Sequence, residues 1–256
     1  MTNENSTQLH SPDLRFLSGN VLKLIAAVCM LIDHIGFIFF PYDMTFRMIG
    51  RIALPIFSFM LAEGCRYTRN KTTHFLLLFA LAVACQVVYF IAEGSLYMSV
   101  LVAFSIATVC IYALQAAQKA FIEKKLVHGV LFSLLFGGLV TGTYFLNQYV
   151  QIDGGFWGCM LPVLISLIDF KRIPALAKKE LLEHVLRVLM LSIGLIFLSF
   201  WQLSNLPVQW YSLFSVILLL CYSGKKGKWK MKYFFYVFYP AHLALLYGIF
   251  MLIQIL

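Results

Sequence analysis

Eight residues set in apolar surroundings carry most of the chemistry this sequence can offer. Lys23, Asp33 and His34 lie in "KLIAAVCMLIDHIGF", Arg47, Arg51 and Glu63 in "FRMIGRIALPIFSFMLAEG", and Tyr239 and His242 in "FFYVFYPAHL". Ionisable groups in hydrocarbon are expensive and mark a functional site by default. A histidine flanked by a carboxylate and a cation can be tuned as a general base near neutral pH. Lys23 and His34 are eleven positions apart, about 16 Å along a helix and within about 20° of one face.

The elements that hold these residues follow from composition. The chain has 256 residues, 61% hydrophobic and only 12% charged, with mean hydropathy +0.85. A soluble domain would be about a quarter charged. The apolar residues form runs long enough to cross a bilayer as helices. No alternating barrel pattern is present, and helices are then the structure that satisfies its own backbone in lipid. The fold class is an all-α polytopic membrane protein. Nine spans are expected, at about 21–40, 46–65, 73–92, 98–118, 127–146, 156–169, 184–202, 207–222 and 233–254. They form one transmembrane domain over 21–256, behind a polar segment over 1–20. That segment lacks the basic and apolar regions of a signal peptide, so the first helix is expected to be retained.

The loops alternate in charge. "RYTRNK", "QKAFIEKK", "KRIPALAKKE" and "GKKGKWKMK" are basic, whereas "PYDMT", "AEGSLY", "LNQYVQIDGG" and "QLSNLPVQW" carry no Lys or Arg. The positive-inside rule places the basic set, and with it the N-terminus, in the cytoplasm. The net charge of +9 then reflects topology and contact with anionic lipid rather than nucleic acid. Cys29, Cys65, Cys85, Cys110, Cys159 and Cys221 form no CxxC pair and read as small buried hydrophobes. No metal site is expected.

Matching depths across antiparallel helices pairs Asp33 and His34 with Arg51, and Lys23 with Glu63. Pro55 is expected to kink the second span. His242 falls at the level of His34, with Tyr239 one turn before it and Pro240 freeing a carbonyl nearby. The bland alternatives are a structural Asp33–Arg51 ion pair and a His242 bonded to a backbone carbonyl. Glu93 and Asp153 read as solvated external carboxylates. The glycines of "IDGGFWG" suit either a turn or a close substrate approach.

"LKLIAAVCMLIDHIGFIFFP", "FRMIGRIALPIFSFMLAEGCRYTRN", "DGGFWG" and "FFYVFYPAHL", in this order, resemble the TraX family of bacterial membrane proteins, from about residue 21 to 250. The family's namesake is associated with N-terminal acetylation of F pilin, and the resemblance implies a link to pilus assembly and conjugation. TraX proteins look related to a wider group of transmembrane acyltransferases that includes the acyltransferase-3 family. Lys23-x10-His34 is similar to that group's basic residue and histidine, with lysine in place of arginine, and Arg47 and Arg51 are similar to its arginine pair. The analogy implies acetyl-CoA as donor, entering from the cytoplasm, and an acceptor protein, lipid or glycan at the outer face of the cytoplasmic (inner) membrane. In that reading His34, Asp33, Arg51 and His242 are catalytic. His34 is the base, Asp33 orients it, Arg51 stabilises the oxyanion, and His242 is a second base or acyl carrier. Lys23, Arg47, Glu63 and Tyr239 are donor-binding candidates. A proton-coupled transporter and a non-enzymatic factor in pilus or surface-polymer assembly are the rival readings.

Overall fold

The computed structural model describes residues 15–94, 97–172, 176, 178–201, 207–229 and 231–255. The polar segment expected over 1–20 is thus described from residue 15 onward, and parts of "AEGSLY", "KRIPALAKKE" and "QLSNLPVQW" lie outside the described residues. Among the described residues there is no strand, only the isolated bridges Leu17–Tyr222 and Met98–Ile152. The helices are α1 (Gly19–Phe39), α2 (Met44–Gly50), α3 (Ala53–Tyr67), α4 (Lys71–Glu93), α5 (Val100–Ile122), α6 (Leu126–Tyr149), α7 (Gly155–Ser166), α8 (Glu180–Trp201), α9 (Phe214–Leu220) and α10 (Lys232–Ile255). Short 3-10 turns lie at Phe170–Arg172 and Pro207–Leu213.

Local chemistry sets several boundaries. The Ser18 hydroxyl caps α1, Asp43 caps α2 through the Thr45 N–H, and Asn70 caps α4 through the Thr73 N–H. Gly94 ends α4 in the left-handed conformation, φ +63. The expected single helix over 46–65 is interrupted at Arg51 and Ile52. Pro55 has no N–H for the Arg51 carbonyl, and its ring crowds that carbonyl. The break therefore falls at the residue four before the proline.

Among the described residues, seven helical spans are long and apolar enough to cross a membrane: Gly19–Phe39, Met44–Tyr67, Lys71–Ile91, Val100–Ile122, Leu126–Tyr149, Glu180–Trp201 and Val237–Gln254. The other two expected spans are shorter, Gly155–Ser166 and Val208–Leu220. At 12 residues α7 covers about 18 Å, against a hydrocarbon core of about 30 Å. Apolar content marked these two segments, but content does not measure regular helix length.

Both short segments nevertheless connect opposite ends of the bundle. Before α7, Ile152 bridges Met98; after it, Asp169 pairs with Arg66 at 3.2 Å. Gln209 meets Arg51, while Tyr222 meets Glu63. The basic loops gather at one end with the start of α1. Gly19 N–H donates to the Lys225 carbonyl at 2.8 Å, Lys171 Nζ to the Tyr67 hydroxyl at 2.6 Å, and Gln115 ties α5 to the Cys65 carbonyl. We call this the basic end.

The core is built by α1, α3, α8 and α10 around Leu22, Ile56, Phe59, Leu191, Leu195 and Leu243, all fully buried. A second cluster joins α5 and α7 through Ala107, Ile111, Cys159 and Val163. All six cysteines are free, and five are buried, as small apolar side chains would be.

Candidate functional site

Near the end opposite the basic loops, α2 folds back against α1. Two glycines allow it: a Cβ on Gly50 would overlap the Asp33 side chain, and one on Gly36 would overlap Phe46. This fold-back puts Arg47 Nη1 2.9 Å from Asp33 Oδ2. Arg51 Nη2 stands 4.0 Å from Asp33 Oδ1. The expected Asp33–Arg51 pairing is thus present at 4.0 Å, and Arg47, which depth matching did not assign to Asp33, is the closer partner at 2.9 Å. Arg51 Nη1 also donates to Gln209 Oε1 at 3.4 Å. Its Nε and Nη2 are buried with no hydrogen-bond partner.

His34 faces elsewhere. Consecutive helical residues point about 100° apart, so Asp33 turns to α2 while His34 turns to α4 and α10. The expectation that Asp33 orients His34 is corrected accordingly. His34 Nδ1–H donates to the Met30 carbonyl at 2.8 Å, which assigns the proton to Nδ1 and the lone pair to Nε2. The Tyr89 hydroxyl lies 3.4 Å from Nε2. His242 makes the same backbone bond, Nδ1–H to the Phe238 carbonyl at 2.9 Å. Its Nε2 faces His34 Nδ1 at 3.4 Å, with the rings edge to face at 5.0 Å. Phe238 stacks on the other side of His242 at 5.0 Å. His242 is therefore both bonded to a carbonyl and in contact with His34.

A cavity of 380 Å³ opens onto these groups, lined by Asp33, His34, Arg47, Arg51, Tyr89 and Asp153 among others. Asp153, expected to be solvated, lines this cavity and accepts the Tyr97 hydroxyl at 3.1 Å. Burial, with Asp153 beside it, raises the Tyr97 hydroxyl above its ordinary range, so it stays protonated as the donor. The Glu93 side chain lies outside the described residues.

A second cavity of 570 Å³ opens at the basic end, lined by Lys23, Glu63, His74, Tyr222 and Lys226 among others. Met30, Phe57, Val100, Phe104 and Tyr239 line both cavities. Tyr239, expected near the reactive level, thus forms part of the wall between them. Lys23 sits 5.9 Å from the Phe235 ring and donates no direct bond to Glu63. The Lys23–Glu63 pairing is corrected: the Glu63 carboxylate bonds Arg187, lies 3.9 Å from Arg66 and accepts Tyr222 at 3.4 Å. Arg66 in turn bonds Glu183 and Asp169. Arg187 is 124 positions from Glu63, so matching early helices by depth could not find it.

Tyr89, Tyr97, Arg187 and Gln209 escaped the sequence reading. Tyrosine and glutamine in apolar runs carry no local signal of their own, and Asp153 reads from the sequence as a solvated carboxylate. Among the described residues no group of three His, Cys, Asp or Glu side chains is placed to hold a metal ion.

No solved structure matches this chain. It is 27% identical to the probable fimbrial assembly protein FimC, serogroup H1, of Dichelobacter nodosus, over 91% of this chain and 96% of that protein. A 53-residue stretch is 42% identical to an uncharacterized protein of Rickettsia prowazekii, covering 21% of each. The TraX protein family matches residues 18–250, nearly the whole chain and every residue of both cavities, and the chain therefore belongs to the TraX family.

Proposed function

We propose that this TraX protein is a membrane-embedded acetyltransferase. Acetyl-CoA enters the cavity at the basic end, and the acceptor reaches the cavity that holds His34. The observation that carries this reading is the His34 lone pair: Nδ1–H donates to the Met30 carbonyl, which leaves Nε2 as a base at the 380 Å³ cavity that His34 lines. Lys23 and Lys226 suit the phosphates of the donor. The shared wall of Met30, Phe57, Phe104 and Tyr239 is where a thioester carried on the pantetheine arm would meet the acceptor, about 16 Å from Lys23 along α1.

The chemistry assigns each side chain a task. His34 Nε2 takes the proton of the acceptor amine or hydroxyl as it attacks the thioester carbon. Such general-base help contributes about 10²–10⁴-fold. His242 Nε2, 3.4 Å from His34 Nδ1, shares that proton with the Met30 carbonyl and stabilises the imidazolium. Arg51 Nε and Nη2, which have no hydrogen-bond partner at rest, meet the oxyanion, a role worth about 10²–10³-fold per donor. Arg47 holds Asp33 and so braces α2. Glu63 belongs to the ion network that closes the basic end.

The positive-inside rule puts the basic end in the cytoplasm and the His34 cavity toward the outer face of a bacterial cytoplasmic membrane. In that arrangement all nine segments cross, the two short ones where the bundle thins the bilayer. The name of the Dichelobacter relative points to fimbrial assembly as the setting. An acceptor of the pilin type, with a free N-terminal amine, fits that setting; other surface amines or hydroxyls meet the same chemistry.

The test is thermal unfolding of the purified protein in detergent with acetyl-CoA, and with ATP as an anionic control. A ligand at a hundred times its dissociation constant stabilises the folded state by about 2.7 kcal/mol. A shift with acetyl-CoA, absent with ATP and lost in Lys23→Ala, is expected. No shift at saturating acetyl-CoA would refute the donor and with it the transfer reading.

A further inference from the structure

Two guanidiniums and two carboxylates line the His34 cavity, and one of the carboxylates is unlike the other. Asp33 is held by Arg47 at 2.9 Å, with Arg51 at 4.0 Å. Asp153 accepts the Tyr97 hydroxyl on Oδ1, and no ion pair joins it to a cation among the described residues. The four charges sum to zero, yet Asp153 and Arg51 are not drawn into contact. A carboxylate that served merely to neutralise Arg51 would close on it, since partly buried opposite charges attract strongly. Instead both groups keep unused hydrogen-bonding capacity toward one cavity.

The backbone fixes where Asp153 stands. Met98 N–H donates to the Gln151 carbonyl, and Asp153 N–H donates to the Met98 carbonyl, each at 2.9 Å. Gly154 and Gly155 follow with φ +75 and +61, a conformation that side chains resist. Gly158 N–H donates to the Gly154 carbonyl at 2.8 Å, and a Cβ on Gly158 would crowd the Asp153 carbonyl at 3.2 Å. The glycine-rich stretch before α7 is thus a mount that delivers one carboxylate to the cavity.

We infer that Asp153 is a further catalytic residue, which balances the positive charge that the acceptor heteroatom gains as it attacks. This rests on the transfer reading above. Attack joins the heteroatom to the thioester carbon, leaves a negative charge on the carbonyl oxygen and a positive one on the heteroatom. Arg51 meets the first charge and Asp153 the second. His34 Nε2 then takes the heteroatom's proton. The C–S bond breaks with its electron pair leaving on sulfur, and His34 returns the proton to that sulfur. One C–S bond is exchanged for one bond to the acceptor, with no net change in charge. Tyr97 is the positioning residue that holds the Asp153 carboxylate.

The experiment measures acetyl-CoA-dependent acetylation of benzylamine by the purified protein, beside thermal stabilisation by benzylammonium alone. Asp153→Asn is expected to lower kcat about a hundredfold, to leave KM for acetyl-CoA unchanged, and to lose the stabilisation by benzylammonium. Asp153→Glu should restore part of each, which a merely structural carboxylate would not require. Wild-type transfer or undiminished stabilisation in Asp153→Asn overturns the assignment, as does a wild type that neither acetylates nor binds benzylamine. Asp153-dependent stabilisation without any acetyl transfer takes down the transfer reading instead. Should Asp153→Asn not accumulate, Tyr97→Phe carries the test. A several-fold fall in kcat with intact acetyl-CoA binding is expected there, and an unchanged kcat overturns the assignment.

Discussion

His242 Nε2 faces His34 Nδ1 at 3.4 Å, although 208 positions separate them in the chain. Each ring gives its Nδ1–H to the carbonyl four residues earlier, so the two imidazoles point the same way in series. The proton on His34 Nδ1 lies between the Met30 carbonyl and the His242 lone pair. In the proposed transfer the two histidines therefore have different tasks, the first taking a proton and the second steadying the cation that results.

Unequal losses follow. His34→Ala should lower acetyl transfer by about 10²–10⁴-fold. His242→Ala should lower it by about tenfold, since one hydrogen bond to a charged group is lost. Both variants should reach the membrane in normal amounts. Steady-state rates beside immunoblots of membrane fractions check this, and equal losses for the two would contradict the serial arrangement.

Gly50 marks the contact that seats α2 on α1. Alanine favours a helix over glycine by about 1 kcal/mol, but here its methyl would overlap the Asp33 side chain. Gly50→Ala should destabilise by about 1–3 kcal/mol, the usual consequence of overpacking. Gly138→Ala is the control, because nothing lies within 4 Å of a Cβ there, and it should be neutral or slightly stabilising. Melting temperatures in one detergent compare the pair.

The ion network at the basic end joins α3 to α8. Removing one partner of a buried pair leaves an uncompensated charge and costs about 3–5 kcal/mol. Arg187→Met should fall at the low end of that range, since Glu63 keeps Arg66 at 3.9 Å and the Tyr222 hydroxyl at 3.4 Å. The double variant Glu63→Leu with Arg187→Met should be more stable than the sum of the single changes. Additive losses would show that the pair is not coupled.

The proposed arrangement of nine crossings with a cytoplasmic N-terminus would place the C-terminus outside. A C-terminal alkaline phosphatase fusion should be active and a C-terminal fluorescent protein dark. The reverse would mean that α7 or the 207–220 segment turns back without crossing.

Much of the site was legible in the sequence because charge in hydrocarbon is conspicuous. Asp33, His34, Arg47, Arg51 and Tyr239 do line one cavity, with His242 behind His34. Their pairings were legible only in part, Asp33 with Arg51 among them. Depth along a helix is set by residue count, whereas the facing of two helices depends on how they rotate and where they break. Arg51 precedes Pro55 by four residues, and beside the break Arg47 joins Arg51 on Asp33, at 2.9 Å against 4.0 Å.

The sequence by itself determined that this chain is a helical membrane protein, where its apolar segments lie, and which end of the bundle gathers the basic loops. Hydropathy and charge act locally, and each residue contributes without reference to distant ones. The tertiary structure decided that α7 and α9 are short, that Glu63 belongs to Arg187, that Tyr89 reaches His34, and that Asp153 turns into a cavity. Each of these depends on contacts between positions tens to hundreds of residues apart, and such contacts exist only once close packing has chosen one arrangement of the helices.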